Sequence, residues 1–312
     1  MEREGFDRNR IKEINRIYHD FEAATYSDYH PEIEYEKVKW ERIAEKYFRE
    51  NRPIVVLDVG TGTGFVPSVV GRYLKKEDKL ICSDISKNML AEAEKALRVC
   101  PAPEKVFLEA DALTLSKMDI QADIITMNSV LHHLPDYEEV LQNLAKLVSE
   151  GGFFIIMHER NRKFHEKVPF LMKQCLFLLA AKRLARRTAG KVLSALGLLR
   201  RQGLRKEVYA KVSEAIKERG ISDRRLSAEE INSLVDFHDP DEGGEGFDPL
   251  VLHREFFDDF DIVELFTDKH LGPWASAEGN PMNRYLLKEL EKRFPYSGAV
   301  FGLIMKKKSC PV

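Results

Sequence analysis

Apolar residues fall into seven short runs, at 55–59, 79–82, 105–109, 122–127, 152–157, 261–267 and 299–305. The runs are rich in Val, Ile, Leu and Phe. The first five are separated by stretches long enough for helices, a pattern that predicts a doubly wound α/β sheet with mostly parallel strands. Ahead of the first run, apolar positions recur at helical spacing over 10–18 and 35–48, around a looser segment at Ser27–Pro31. This reads as an N-terminal helical lead-in. About a hundred residues separate the fifth run from the sixth, too many for a simple crossover, and they predict a mainly helical insertion. The expected divisions are a helical cap over 1–50, a Rossmann-like core over 51–159, an insertion or lid over 160–255, and closing strands over 256–312.

The first run ends in Asp58-Val59-Gly60-Thr61-Gly62-Thr63-Gly64. Glycines at alternate positions allow positive φ and let bare backbone approach a nucleotide-like ligand. The spacing is G-x-G-x-G; a dinucleotide fingerprint would need glycine where Phe65 stands, which disfavours a nicotinamide oxidoreductase. The second run leads to Asp84, placed to accept hydrogen bonds from a ribose diol, and the third to Asp111, placed to meet an adenine amino group. The fourth enters Asn128-Ser129-Val130-Leu131-His132-His133-Leu134-Pro135-Asp136, and the fifth follows a Gly151-Gly152 turn. In a parallel sheet all these ends open on one edge, where ligands of such folds bind.

With these pieces in order, residues 53–159 resemble a class I S-adenosylmethionine-dependent methyltransferase, over about a third of the chain. The resemblance implies a seven-stranded sheet whose last two strands form an antiparallel pair, with S-adenosyl-L-methionine as cofactor. It implies a pocket lined by Asp58, Gly60, Thr61, Gly62 and Gly64, with Asp84 and Ile85 at the ribose. Met89, Asp111 and Ala112 would lie at the adenine and Asn128 near the methionine part. An aromatic residue of the lead-in, Tyr18 or Tyr26, could close over the cofactor or simply pack the helices.

Composition adds bounds. The chain has 312 residues, 44% of them hydrophobic, enough for one large domain or a domain with an insertion. The charged start and the lack of any run of eighteen apolar residues argue against a signal peptide and a membrane-spanning helix. Cys82, Cys100, Cys175 and Cys310 are scattered, as expected of reduced thiols in a cytoplasmic protein, and no metal site is expected.

Charge is unevenly spread. Residues 160–206 hold fourteen Lys or Arg against one acid, Glu166, whereas 236–268 hold twelve acids against Arg254. Three readings stay open, in this order: the stretches neutralise each other, the basic and apolar helix lies on an anionic membrane, or it follows a nucleic-acid backbone. The tract Asp239–Glu245 lacks a calcium loop's oxygen ligand at Gly243 and its closing glutamate at Leu250, and reads as a surface loop.

Methyl transfer depends on holding acceptor and methyl in line. A hydroxyl acceptor also needs a base, for which His132, His133 and His158, with Glu159, are the candidates. Asn128 is not followed by two prolines and an aromatic, and no cysteine nucleophile stands there. A small-molecule or lipid acceptor, methylated on oxygen or carbon, is therefore expected, and the bulky, apolar insertion suggests that it is hydrophobic. Trp274 could line its pocket. An RNA methyltransferase and a non-catalytic cofactor-binding protein stay as alternatives.

Overall fold

The fold is described from a computed structural model, which covers residues 5–26, 33–99, 104–167, 191–270, 292 and 295–309. The strands are β1 Val55–Val59, β2 Lys79–Asp84, β3 Glu104–Glu109, β4 Ala122–Asn128, β5 Val148–Arg160, β6 Phe260–Asp268 and β7 Val300–Lys307. They form one seven-stranded sheet in the order β3-β2-β1-β4-β5-β7-β6. Strands β1 to β5 pair in parallel. β7 runs antiparallel to both β5 and β6, so the expected antiparallel pair is present, with the last strand lying between β5 and β6.

Alternation along each strand sorts its side chains onto two faces. Val56, Leu80, Ile124, Ile155 and Ile304 pack under helix α1 of the core, Ile33–Tyr47, through Trp40, Ile43 and Ala44. Leu57, Ile125, Ile156 and Leu303 face the other way, onto Val140, Leu141 and Leu144 of helix Tyr137–Leu147 and Leu252 of helix Pro249–Phe256. β5 is longer than its apolar run. Between Val148 and Phe153, Gly151 at φ +73° and a register shift against β4 make an irregular start to the strand.

The lead-in begins with helix Arg8–Glu22, started by Asp7, whose side chain accepts from the Arg10 backbone N–H at 2.9 Å. Its apolar face does not meet the sheet. Ile11, Ile14 and Ile17 instead form a third core with Val212 and Ile216 of helix Lys191–Glu218 and Ile231 and Leu234 of helix Ala228–Val235. Lead-in and insertion thus share one apolar cluster, although some two hundred residues separate them. The later helix is closed by a capping box between Ser227 and Glu230.

The acidic loop docks where β5 ends. Arg160 pairs with Asp239 at 2.7 Å and Asp241 at 3.2 Å, Arg162 with Glu245 at 2.9 Å, and Lys163 with Asp248 at 3.0 Å. The first cations of the basic stretch therefore meet acids of the same chain. Residues 168–190 of that stretch and Trp274 lie outside the described residues. No helix among the described residues is long and apolar enough to cross a membrane.

Ile14 is fully buried in the shared cluster. Ile14→Ala should lower the free energy of unfolding by about 3 kcal/mol. Limited proteolysis should then open the lead-in and helix Lys191–Glu218 together; cleavage in the lead-in alone would contradict the shared core.

Candidate functional site

The parallel register brings the ends of β1, β2 and β4 level, with Asp58 opposite Cys82 on one side and Thr126 on the other. Asp58 is 2% exposed and accepts from Thr126 Oγ1 at 2.5 Å and Thr61 Oγ1 at 2.9 Å. Burial outweighs these bonds and pushes its carboxyl up to about 7. The turn that follows is shaped by contact on two sides. A Cβ at Gly60 would stand 2.5 Å from Val130 Cγ2, and one at Gly64 would stand 3.0 Å from Ala93 Cα. A Cβ at Gly62 would meet nothing within 4 Å, so this backbone faces open space.

Asp84, at the tip of β2, holds that turn. One carboxylate oxygen accepts from Gly62 N–H at 2.8 Å and the other from Ser86 N–H at 2.9 Å. Burial raises its carboxyl above the usual range against the pull of these bonds. Ser86 caps helix Lys87–Ala96, in which Met89 is buried. Ile85, between Asp84 and Ser86, is half-buried.

Helix Arg8–Glu22 spans this edge. Asp20 accepts from Ser86 Oγ at 2.6 Å, and its carbonyl accepts from Asn88 Nδ2 at 2.9 Å. Lys12 bridges Asp111 at 3.0 Å and Asp136 at 2.6 Å. Burial would lower the Lys12 ammonium, but bonding to Asp136 and Asp111 outweighs it and raises it. Burial likewise works to raise Asp111, yet Thr114 and Lys12 hold it below the usual range. Asp111 also caps the short helix beginning at Ala112. Tyr18 is turned into the shared apolar cluster, donating to Glu22 at 3.2 Å beside Tyr209, and Tyr26 follows the 3-10 turn Ala23–Thr25.

Two histidine–carboxylate pairs stand at the ends of β4 and β5. His132 Nδ1 lies 2.9 Å from Oε2 of Glu159, whose other oxygen accepts from the Val130 and Leu131 N–H groups at 2.6 and 2.8 Å. Burial would lower the His132 imidazole, but the Glu159 charge outweighs it and raises it. The insertion reaches this pair: His238 N–H donates to the His132 carbonyl at 2.9 Å, and Asp236 lies 3.3 Å from His133 Nδ1. The second pair is His158 and Glu36, with Nδ1 and Oε1 3.2 Å apart and Lys269 Nζ 3.5 Å from Nε2. Burial works to raise Glu36, but His158 and Lys39 outweigh it and hold its carboxyl down at about 2. Asn128 adjoins this pair and accepts from Trp40 Nε1 at 3.0 Å.

Ser129, His158 and Lys269 are the non-glycine residues at positive φ among those described, at 58°, 58° and 57°. Ser129 and His158 are in direct contact, Ser129 Oγ donating to the His158 carbonyl at 3.3 Å, and Lys269 reaches the same imidazole. Such backbone costs about 1 kcal/mol or more per residue and clusters at functional sites. Lys12, Asp20, Glu36, Trp40 and Asp236 carry no sequence signal of their own, because each acts on a partner far away in the chain.

Residues 57–154 match the family model described as a methyltransferase domain. Together with the strand order and the glycine turn, this makes residues 57–154 similar to a methyltransferase domain. Similar curated proteins include demethylmenaquinone methyltransferases. That of Bacteroides fragilis is 29% identical over 119 residues, 38% of this chain and 48% of that protein. That of Oceanobacillus iheyensis is 26% identical over 140 residues, 44% of this chain and 59% of that protein. The chain thus spans about half the length of the curated relatives it matches. Among solved structures, the plantazolicin methyltransferase BpumL in complex with SAH is 12% identical, with TM-score 0.44 over 96% of this chain and 97% of that one. The DhpI–SAH complex is 21% identical, with TM-score 0.40 over 50% and 72%.

The low value for Glu36 has a measurable consequence. Its carboxyl sits at about 2 when folded against a usual 4.5, so its stabilisation is present above pH 4.5 and is lost as pH falls toward 2. Urea unfolding from pH 6 to pH 3 should show the wild type losing about 2 kcal/mol more than Glu36→Gln. Parallel losses would mean that Glu36 makes no such pairing.

Proposed function

We propose that the protein transfers a methyl group from S-adenosyl-L-methionine to oxygen or carbon of a small, hydrophobic acceptor. The observation that carries this is the Asp84 cradle. A carboxylate at the tip of β2, fixed by Gly62 and Ser86, stands beside a glycine turn that faces open space. Those residues fit the cofactor: Asp84 would take the ribose hydroxyls, Asp111 and Ala112 the adenine, and Gly60 and Gly62 would let the methionine part lie against backbone. Met89 and Ile85 would pack the adenine side, and Asn128, held by Trp40, would meet the methionine end. When bound, the cofactor supplies an electrophilic methyl group on a sulfonium.

The chain's own part is to position the acceptor and to take its proton. His158 suits the second task. Its Nδ1 lies 3.2 Å from Glu36 Oε1 and its Nε2 3.5 Å from Lys269 Nζ, so the ring stands between a carboxylate and an ammonium; with Lys269 turned aside, Nε2 would take the acceptor's proton. Ser129 and His158, both at positive φ, are tied by the Ser129 Oγ hydrogen bond to the His158 carbonyl. Lead-in and insertion would cover the edge and exclude water. Demethylmenaquinone, named in the matched relatives, is an acceptor of this hydrophobic class. The pairing of Arg160, Arg162 and Lys163 with acids of the same chain makes that part of the basic stretch a poor surface for RNA.

The test is methyl-labelled cofactor with purified protein in an extract of the source cells. Label should enter organic-soluble material, vanish with Asp84→Ala, and fall at least about a hundredfold with His158→Gln. Label confined to nuclease-sensitive material would overturn the acceptor class. Full turnover by His158→Gln would remove it as the base.

A further inference from the structure

The second histidine cluster invites a different chemistry. His132, His133 and Asp236 each offer a ligand atom, and these atoms all lie within 4.8 Å of one another. Two residues come from the turn after β4 and the third from the insertion, which meets the core here. His132 lies between two carboxylates, with Nδ1 2.9 Å from Glu159 and Nε2 3.9 Å from Asp236 Oδ1. A neutral imidazole has one N–H. Donating it to the fully buried Glu159 turns the Nε2 lone pair toward the Asp236 carboxylate. Two electron-pair donors then face each other across a gap wider than a hydrogen bond, as they do around a cation.

The surroundings match what metal-binding histidines need. Such a ring usually gives its other nitrogen to a carboxylate or a backbone carbonyl, which fixes tautomer and orientation. His132 has Glu159 for this, itself anchored by the Val130 and Leu131 N–H groups. His133 Nδ1 lies 2.9 Å from the Val235 carbonyl and 3.3 Å from Asp236 Oδ1; giving its proton to that carbonyl leaves Nε2 as its donor atom. Two imidazoles and one carboxylate suit zinc or a neighbouring transition metal rather than magnesium or calcium. Bonds of about 2.0–2.1 Å would draw the three ligand atoms closer by roughly 1 Å. Asp236, whose side chain is 32% exposed, can close its own distances to the two rings by rotation.

We infer that His132, His133 and Asp236 form a binding site for one divalent transition-metal ion, which clamps the insertion onto the sheet edge and keeps a fourth coordination position open. The site shares no residue with the His158–Glu36 pair or the Asp84 cradle, so it stands independently of methyl transfer.

The full-length protein, stripped with chelator, is dialysed against zinc and, separately, titrated with cobalt, whose visible absorption reports coordination geometry. One zinc per chain is expected, with a cobalt spectrum of four-coordinate nitrogen and oxygen ligands. Asp236→Asn and His133→Gln should each weaken binding at least about tenfold, and Glu159→Gln about tenfold to a hundredfold. Glu245→Gln, on the exposed acidic loop, should bind as the wild type does. A wild type that binds no zinc, or one whose binding survives both Asp236→Asn and His133→Gln unchanged, overturns the site and leaves a protonated His132 between two carboxylates. Titrating the same preparations with S-adenosylhomocysteine separates this failure from a failure of the cofactor reading.

Discussion

A carboxylate taken out of water must be fully hydrogen-bonded or give up its charge, and the sheet edge is organised around that requirement. Asp84 is the centre of it. Its two oxygens take N–H groups from the glycine turn and from the start of the next helix, so one side chain joins β2, the turn after β1 and helix Lys87–Ala96. Asp58, one strand over, is satisfied by two hydroxyls rather than by N–H groups, and burial leaves its proton far easier to keep. Glu159 repeats the solution at β5, holding the turn after β4 through two N–H groups and a histidine.

The coverings are secured by the same means. Lys12 and Asp20, two turns apart on helix Arg8–Glu22, reach the ends of β3 and β2 and fix that helix across the edge. Its opposite face is apolar and joins the insertion's helices. Polar contacts thus decide where the cover sits, and burial of Ile11, Ile14 and their partners supplies most of the free energy that keeps it there. Asp236 follows directly from that cluster, at the end of helix Ala228–Val235, which is how a residue of the insertion comes to stand beside His132 and His133.

Much of this was legible in the sequence where the controlling interactions are local. Short runs of Val, Ile, Leu and Phe marked the strands, and the glycine turn with Asp58 and Asp84 marked the cradle because strand and turn are contiguous. Strand limits were less legible: β5 runs from Val148, through an irregular start at Gly151 that reads in sequence as a turn. Contacts between distant segments left no local trace. Lys12 with Asp111, Trp40 with Asn128 and Asp236 with His133 join residues 88 to 103 positions apart. Charge counting placed Asp236 in an acidic stretch, and only the fold separates it from Asp239 and Asp241, which neutralise Arg160.

Asp84 holds the fold of the turn and, in the proposed reaction, would also take the ribose of the cofactor. Calorimetric titration with S-adenosylhomocysteine tests this most directly, comparing the wild type with Asp84→Asn at equal far-ultraviolet dichroism. Binding by the wild type with a loss of at least about tenfold in the variant, equivalent to about 1.4 kcal/mol or more, is the expected result. Equal affinity in both proteins, or no binding by the wild type, would contradict the claim that this edge is the cofactor site.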